Sequence, residues 1–99
     1  MFARIHMLDA TPEQQEVGLR VLHDEVLPWL RDSTGFRGVL RLTDPEGGKT
    51  ITMTLWATEQ DLRDSAGAAE RIASLTASGI GATRQPISEY EVTLLELPR

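Results

Sequence analysis

Seven side chains in this sequence stand out as candidates to act on small organic molecules, and five of them fall in two short segments. Arg4 and His6 alternate in the first segment; Thr52, Thr54 and Trp56 alternate in the second. His23 and Tyr90 stand apart. An imidazole titrates near neutral pH, so His6 or His23 can take a proton from a phenol or an activated carbon. Arg4, with the hydroxyls of Thr52 and Thr54, can steady the enolate or phenolate that such a step leaves. Trp56 offers a face on which a planar ring can stack, and the Tyr90 hydroxyl can donate a proton. Each residue also has a structural reading. His6 can be a hydrogen-bonded core histidine, and His23 a partly buried helix residue. Arg4 can be half of an ion pair, Trp56 core packing, Tyr90 a structural hydroxyl, and the threonines ordinary strand formers.

The elements that must position these residues follow from periodicity and punctuation. Phe2 to Leu8 alternates and reads as a first strand. Thr11 can cap a helix whose first turn takes Pro12, and that helix runs to about Arg31 with a kink or break at Pro28. Phe36 to Leu42 and Thr50 to Trp56 are strands joined by the Asp44-Pro45-Glu46-Gly47-Gly48 turn, hence a hairpin. Thr58 caps a second helix with Asp61 three positions on; it weakens or breaks near Gly67 and continues to about Ser78. Residues 79–86 form a glycine-containing connection able to act as a lid, and Ile87 to Leu97 is the last strand. The order β-α-β-β-α-β implies one ferredoxin-like α+β domain over residues 1–99, a four-stranded antiparallel sheet with both helices on one face.

Two helices cover one face only. Strand one sets Ala3, Ile5 and Met7 against Phe2, Arg4, His6 and Leu8; strand three sets Ile51, Met53 and Leu55 against Thr50, Thr52, Thr54 and Trp56. Neither side is fully polar, and a monomer leaves one of them wet. At about 25 cal/mol per Å² of apolar surface, covering such a face supplies several kcal/mol, so a homodimer packed sheet to sheet is expected. On the first helix, Leu19, Leu22, His23, Val26 and Leu30 share one stripe, which turns His23 inward.

Composition closes off other classes. The 99 residues are 40% apolar and 25% charged, ordinary for one globular domain. A formal charge of −5 and the lack of any Lys/Arg stripe argue against nucleic acid as a partner. Without cysteine there is no disulfide, zinc finger or thiolate chemistry. No His/Asp/Glu cluster has metal-ligand spacing, and neither a phosphate loop nor a nucleophile elbow is present. No secretory leader or apolar run of membrane-spanning length is apparent, so a cytoplasmic protein is expected.

Gly35-Phe36-Arg37-Gly38 opening strand two, with Trp56 closing strand three before Thr58-Glu59-Gln60-Asp61-Leu62, resembles the antibiotic biosynthesis monooxygenase-like family. That family belongs to the dimeric α/β-barrel superfamily. The resemblance implies a working cleft between helices and sheet, on the face that holds the strand-three tryptophan. Arg4, His6, Thr52, Thr54 and Trp56 then line it, under a second helix whose inward residues Leu62, Ala66, Ala69 and Ala73 are mostly too small to fill the space. Haem-degrading members resemble one another in an asparagine on strand one and a histidine on helix two. Here His6 stands near the first position and no histidine occurs around Ala66 and Gly67, so haem bound in that manner is not expected.

Three functions fit these residues. The first is a cofactor-independent monooxygenase that removes a proton from a planar aromatic or polyketide-like molecule, the anion then reacting with O₂; the same cleft can serve an isomerase or cyclase. The second is a non-catalytic dimer that binds such a molecule. The third is a structural domain whose cleft is filled by its own side chains.

Overall fold

The computed structural model describes residues 1–98. Its elements are β1 (Phe2–Asp9), α1 (Pro12–Val21), a turn of π-helix (Leu22–Val26), α2 (Leu27–Asp32), β2 (Phe36–Asp44), β3 (Lys49–Trp56), α3 (Glu59–Ile80), β4 (Thr83–Arg84) and β5 (Ser88–Glu91). All strand pairs are antiparallel. The sheet order is β2-β3-β1, with β4 and β5 sharing the far edge of β1. This is the ferredoxin-like arrangement, its fourth strand split in two.

Proline chemistry explains the split. Pro86 has no N–H to give, so the ladder lapses between Arg84 and Ser88. Gln85 still donates its backbone N–H to the Met7 carbonyl (2.9 Å). Residues 79–86 are therefore not a free lid: they finish α3, turn at Gly81 (φ 78°) and join the sheet edge. The last strand also ends earlier than the sequence pattern implies. Running antiparallel to β1, it passes Met1 at Val92, whose N–H reaches the Met1 carbonyl at 2.9 Å, the last backbone bond of this edge among the described residues. Leu94, Leu95 and Leu97 beyond it are exposed.

Both expected N-caps are present. The Thr11 hydroxyl accepts from the Gln14 N–H, and the Gln14 side chain accepts from the Thr11 N–H, closing a capping box. The Thr58 hydroxyl accepts from Asp61 N–H at 3.0 Å. The second long helix does not break at Gly67. That glycine is exposed with no heavy atom within 4 Å of a Cβ placed on it, and its cost of about 1 kcal/mol is absorbed by a helix of 22 residues.

Pro28 acts differently from a simple break. It falls in the first turn of α2, directly after the π turn, where the N–H of Leu27 bonds the carbonyl of Leu22. A residue is thus accommodated just ahead of the proline, and the chain continues as helix. Gly18, Leu22, Val26 and Leu30 fall on the inward stripe, while His23 lies off it.

The apolar core occupies one end of the helix–sheet space. Trp56, Leu30 and Leu62 are its buried centre, with Phe2, Val26, Leu27, Trp29, Phe36 and Val39 around them. Phe36 meets Trp56 edge to face, with ring centroids 5.9 Å apart. The opposite sheet face carries no helix and exposes Leu40 and Leu42.

Candidate active site

Three rows of side chains cross the helix-facing side of the sheet. Phe2, Trp56 and Phe36 form the core row; Arg4, Thr54 and Val39 come next; His6, Thr52 and Arg41 follow. Above the second and third rows α3 presents Ala69 and Ala73, and α1 presents Gly18. Such short side chains cannot reach the sheet, and a cavity of about 90 Å³ remains, several times what one ordered water needs. Trp29, Leu22, Val26 and Leu30 wall one side; Arg84 and Gln85 wall the other.

Arg4 is buried under α3 and its guanidinium is committed to the protein. Nη1 donates to Ser65 Oγ (3.0 Å), Nη2 to the Leu62 carbonyl, and Nε and Nη2 to Glu89 Oε2 (3.3 and 3.2 Å). It also lies 5.7 Å from the centre of the Trp56 ring, within cation–π range. Burial holds its pKa below the ordinary value although Glu89 opposes the change. Glu89, on the edge strand β5, is thus the partner of a buried charge. Trp56 is fully buried, and its indole N–H donates to Thr54 Oγ1 at 3.0 Å. It is both core and cavity wall.

His6 faces the cavity, and its ring makes no hydrogen bond among the described residues. Burial, then the charges of Arg4 and Arg84, lower its pKa from 6.5 to about 4, so the ring is neutral at pH 7. It can accept a proton or a hydrogen bond, but it is a weaker base than its ordinary value implies. Arg84 itself forms a two-point ion pair with Glu70 (2.7 and 2.8 Å).

Arg41 escapes the strand alternation. A bulge between Phe36 and Gly38 shifts the register, so Phe36, Val39 and Arg41 share the helix-facing side. Its Nη2 donates to the Gln15 carbonyl (3.0 Å), and Nε is buried without a partner. Gly18 makes the approach possible: a Cβ there would sit 3.0 Å from Arg41 Nη2. Trp29 is the other wall residue that its position after Pro28 does not reveal.

Two expected site residues lie elsewhere. The His23 side chain is 73% exposed and its Nδ1 is 2.9 Å from Asp24 Oδ1, because α1 turns Gln15 and Gly18 inward and leaves Leu19 outside. Tyr90 pairs with Ala3 on the far side of the sheet and is exposed, so its hydroxyl does not reach the cavity. Arg4, His6, Thr52, Thr54 and Trp56 are brought together around it. No group of three or more His, Cys, Asp or Glu among the described residues is placed to hold a metal.

The architecture has close counterparts among solved structures. A monooxygenase from the gene ActVA-Orf6 of Streptomyces coelicolor, in complex with nanaomycin D, superposes with a TM-score of 0.73 over 99% of this chain and 92% of its own, at 19% identity. An antibiotic biosynthesis monooxygenase structure matches with a TM-score of 0.65, covering 97% of this chain and all of that one, at 16% identity. In fold, this chain is similar to antibiotic biosynthesis monooxygenase domains. A variant of SnoaB, a cofactor-independent oxygenase from Streptomyces nogalater, shares the monooxygenase-like fold with a TM-score of 0.68 and 11% identity, covering 99% of this chain and 97% of that one. In sequence, the uncharacterized protein Rv2558 of Mycobacterium tuberculosis is 29% identical over 97 residues, 96% of this chain. The chain spans about 40% of that relative's length. No family model matches.

The depressed His6 pKa has a measurable consequence. Between pH 6.5 and about 4 the unfolded chain takes up a proton on His6 and the folded one does not, so stability falls as pH falls through that window. The loss attributable to His6 is up to roughly 3 kcal/mol. Urea unfolding at pH 7 and pH 4.5 is expected to show a smaller drop for His6→Gln than for the wild type. Equal drops would mean that His6 titrates alike in both states.

Proposed function

We propose that this chain is a cofactor-independent monooxygenase acting on a planar aromatic or polyketide-like molecule held in the helix–sheet cavity. The observation that carries this reading is the polar, unfilled row under the helices, with neutral His6 facing the space and two tryptophans bordering it. A domain built only for stability closes such a gap with larger apolar side chains. The structural counterparts described as oxygenases, one holding nanaomycin D, support the same kind of chemistry.

His6 accepts a proton from an activated ring methylene or phenol, and the resulting carbanion or phenolate delivers electrons to O₂. For a ring methylene the balance is simple: CH₂ becomes C=O, one oxygen atom enters the ring carbon, and the other leaves as water. The acidity of the protonated imidazole is the difficulty. An anion formed beside it opposes the arginine charges that lower its pKa, so proton transfer is most favourable when the product pair stays in contact. Thr52 contributes a hydroxyl in the same row.

Both tryptophans border the cavity, so intrinsic fluorescence reports occupancy directly. Saturable quenching by hydroxynaphthoquinones and hydroxyanthracenes, with oxygen consumed by the reduced members, is expected of the wild type. Ala73→Phe, which fills the space from α3, should abolish both. Quenching that survives in Ala73→Phe would show that the ligand binds outside the cavity; binding without oxygen uptake would favour the non-catalytic binder.

We also propose that the functional unit is a homodimer. The helix-free sheet face joins Ile5, Met53, Leu40 and Leu42, and the leucines after β5 have no cover in the monomer. Sedimentation at micromolar concentration is expected to give twice the 11.0 kDa chain mass. Leu40→Glu should shift it to the monomer; a monomeric wild type would sink the proposal.

A further inference from the structure

Three arginines border the cavity, and they differ in one respect. Arg4 has Glu89 and Arg84 has Glu70. Arg41 has no carboxylate within ion-pair distance among the described residues, and its one hydrogen bond is to a neutral carbonyl. Its Nε, moreover, is buried and unpartnered. Leaving a guanidinium N–H unsatisfied away from water is destabilising, and an uncompensated charge is more so. Proteins rarely retain such a group where nothing uses it.

Position along the sheet adds to this. Arg41 is paired with Thr52, whereas the indole of Trp56 is four residues further along the same strand, about 13 Å at ordinary strand rise. The cavity thus has an aromatic end, at Trp56 and Trp29, and a cationic end, at Arg41 under Gly18 of α1. With Arg4 and Arg84 neutralised by their own partners and His6 uncharged, the walls carry one net positive charge. The chain as a whole carries −5, so an anion drawn to this place is held by local geometry and not by the general field of the protein.

We propose that Arg41 is an anion anchor, and that the ligand is a planar arene carrying a carboxylate or equally acidic oxygen at one end. The rings lie toward the tryptophans and the acidic oxygens reach the guanidinium. This rests on the cavity reading above and narrows it to a charged class of substrate. The anchor fixes which edge of the ring system faces His6, making Arg41 a specificity-determining residue.

A matched pair of probes tests it: 2-naphthoate and 2-naphthamide, alike in shape and unlike in charge, titrated calorimetrically at pH 7. The wild type is expected to bind the acid at least about tenfold more tightly than the amide, the range of a charge-assisted hydrogen bond. Arg41→Gln should bring the two within about twofold, and Arg41→Lys, which keeps the charge without the fork, should retain part of the preference. Amide bound as tightly as acid by the wild type would overturn the anchor and leave the cavity reading standing. A preference undiminished in a folded Arg41→Gln would overturn it too. Binding of neither probe would overturn the anchor together with the cavity reading. Should Arg41→Gln fail to fold, the wild-type ratio and Arg41→Lys decide between these outcomes.

Discussion

A single buried guanidinium fixes the spacing on which the rest of this structure depends. Arg4 rises from β1, bonds a backbone carbonyl and a hydroxyl in the first half of α3, and reaches a carboxylate on β5. Removing a guanidinium from water costs several kcal/mol, and only a nearly complete set of hydrogen bonds offsets it. That set exists at one height of α3 above the sheet. Leu62 and Ser65 are held there, with Trp56 and Leu30 packed into the core beside them. Further along, α3 turns Ala69 and Ala73 toward the sheet at the same height, and they fall short of it. The cavity is what remains between a helix whose height is fixed at one end and a sheet face too polar to draw it closer.

Most of the scaffold could be read from the residues. Strand alternation, the two threonine caps and the hairpin turn are local signals, and each keeps its meaning in the folded chain. The same alternation grouped Arg4 and His6, and Thr52, Thr54 and Trp56, because an unbroken strand leaves no freedom in which side a residue faces. What escaped depends on partners distant in sequence. The bulge in β2 exists through its pairing with β3, and without it Arg41 has the wrong parity. The helix phase that turns His23 outward is set in α1, where Gln15 and Gly18 face inward and Leu19 is exposed, whereas the apolar stripe read at 100° per residue puts that histidine inward. The end of β5 depends on its pairing with β1, far away in sequence, which closes with the Val92–Met1 contact. Glu89 gives no local sign that it faces a buried cation.

The electrostatics of the cavity are those of a small cationic chamber in an acidic protein. Two of its arginines are balanced by Glu70 and Glu89; burial first, and then the charges of those arginines, depress His6 to about 4. A resting histidine that is neutral and without a protein partner is ready to accept a proton, and it does so best when the ligand becomes an anion in the same step. In the proposed reaction this couples ligand charge to proton transfer. A group that stays neutral leaves the arginine field unopposed, whereas one that ionises there relieves it.

The most direct test of the clamp is the equilibrium unfolding of Arg4→Lys in urea at pH 7. Lysine keeps the positive charge, and so keeps any purely catalytic stabilisation of an anion, but its ammonium cannot reach Ser65, the Leu62 carbonyl and Glu89 as the planar fork does. We expect a loss of about 2 kcal/mol or more, with unchanged dependence on urea concentration. An Arg4→Lys protein that unfolds at the wild-type midpoint would contradict a structural clamp and return Arg4 to the chemistry of the site.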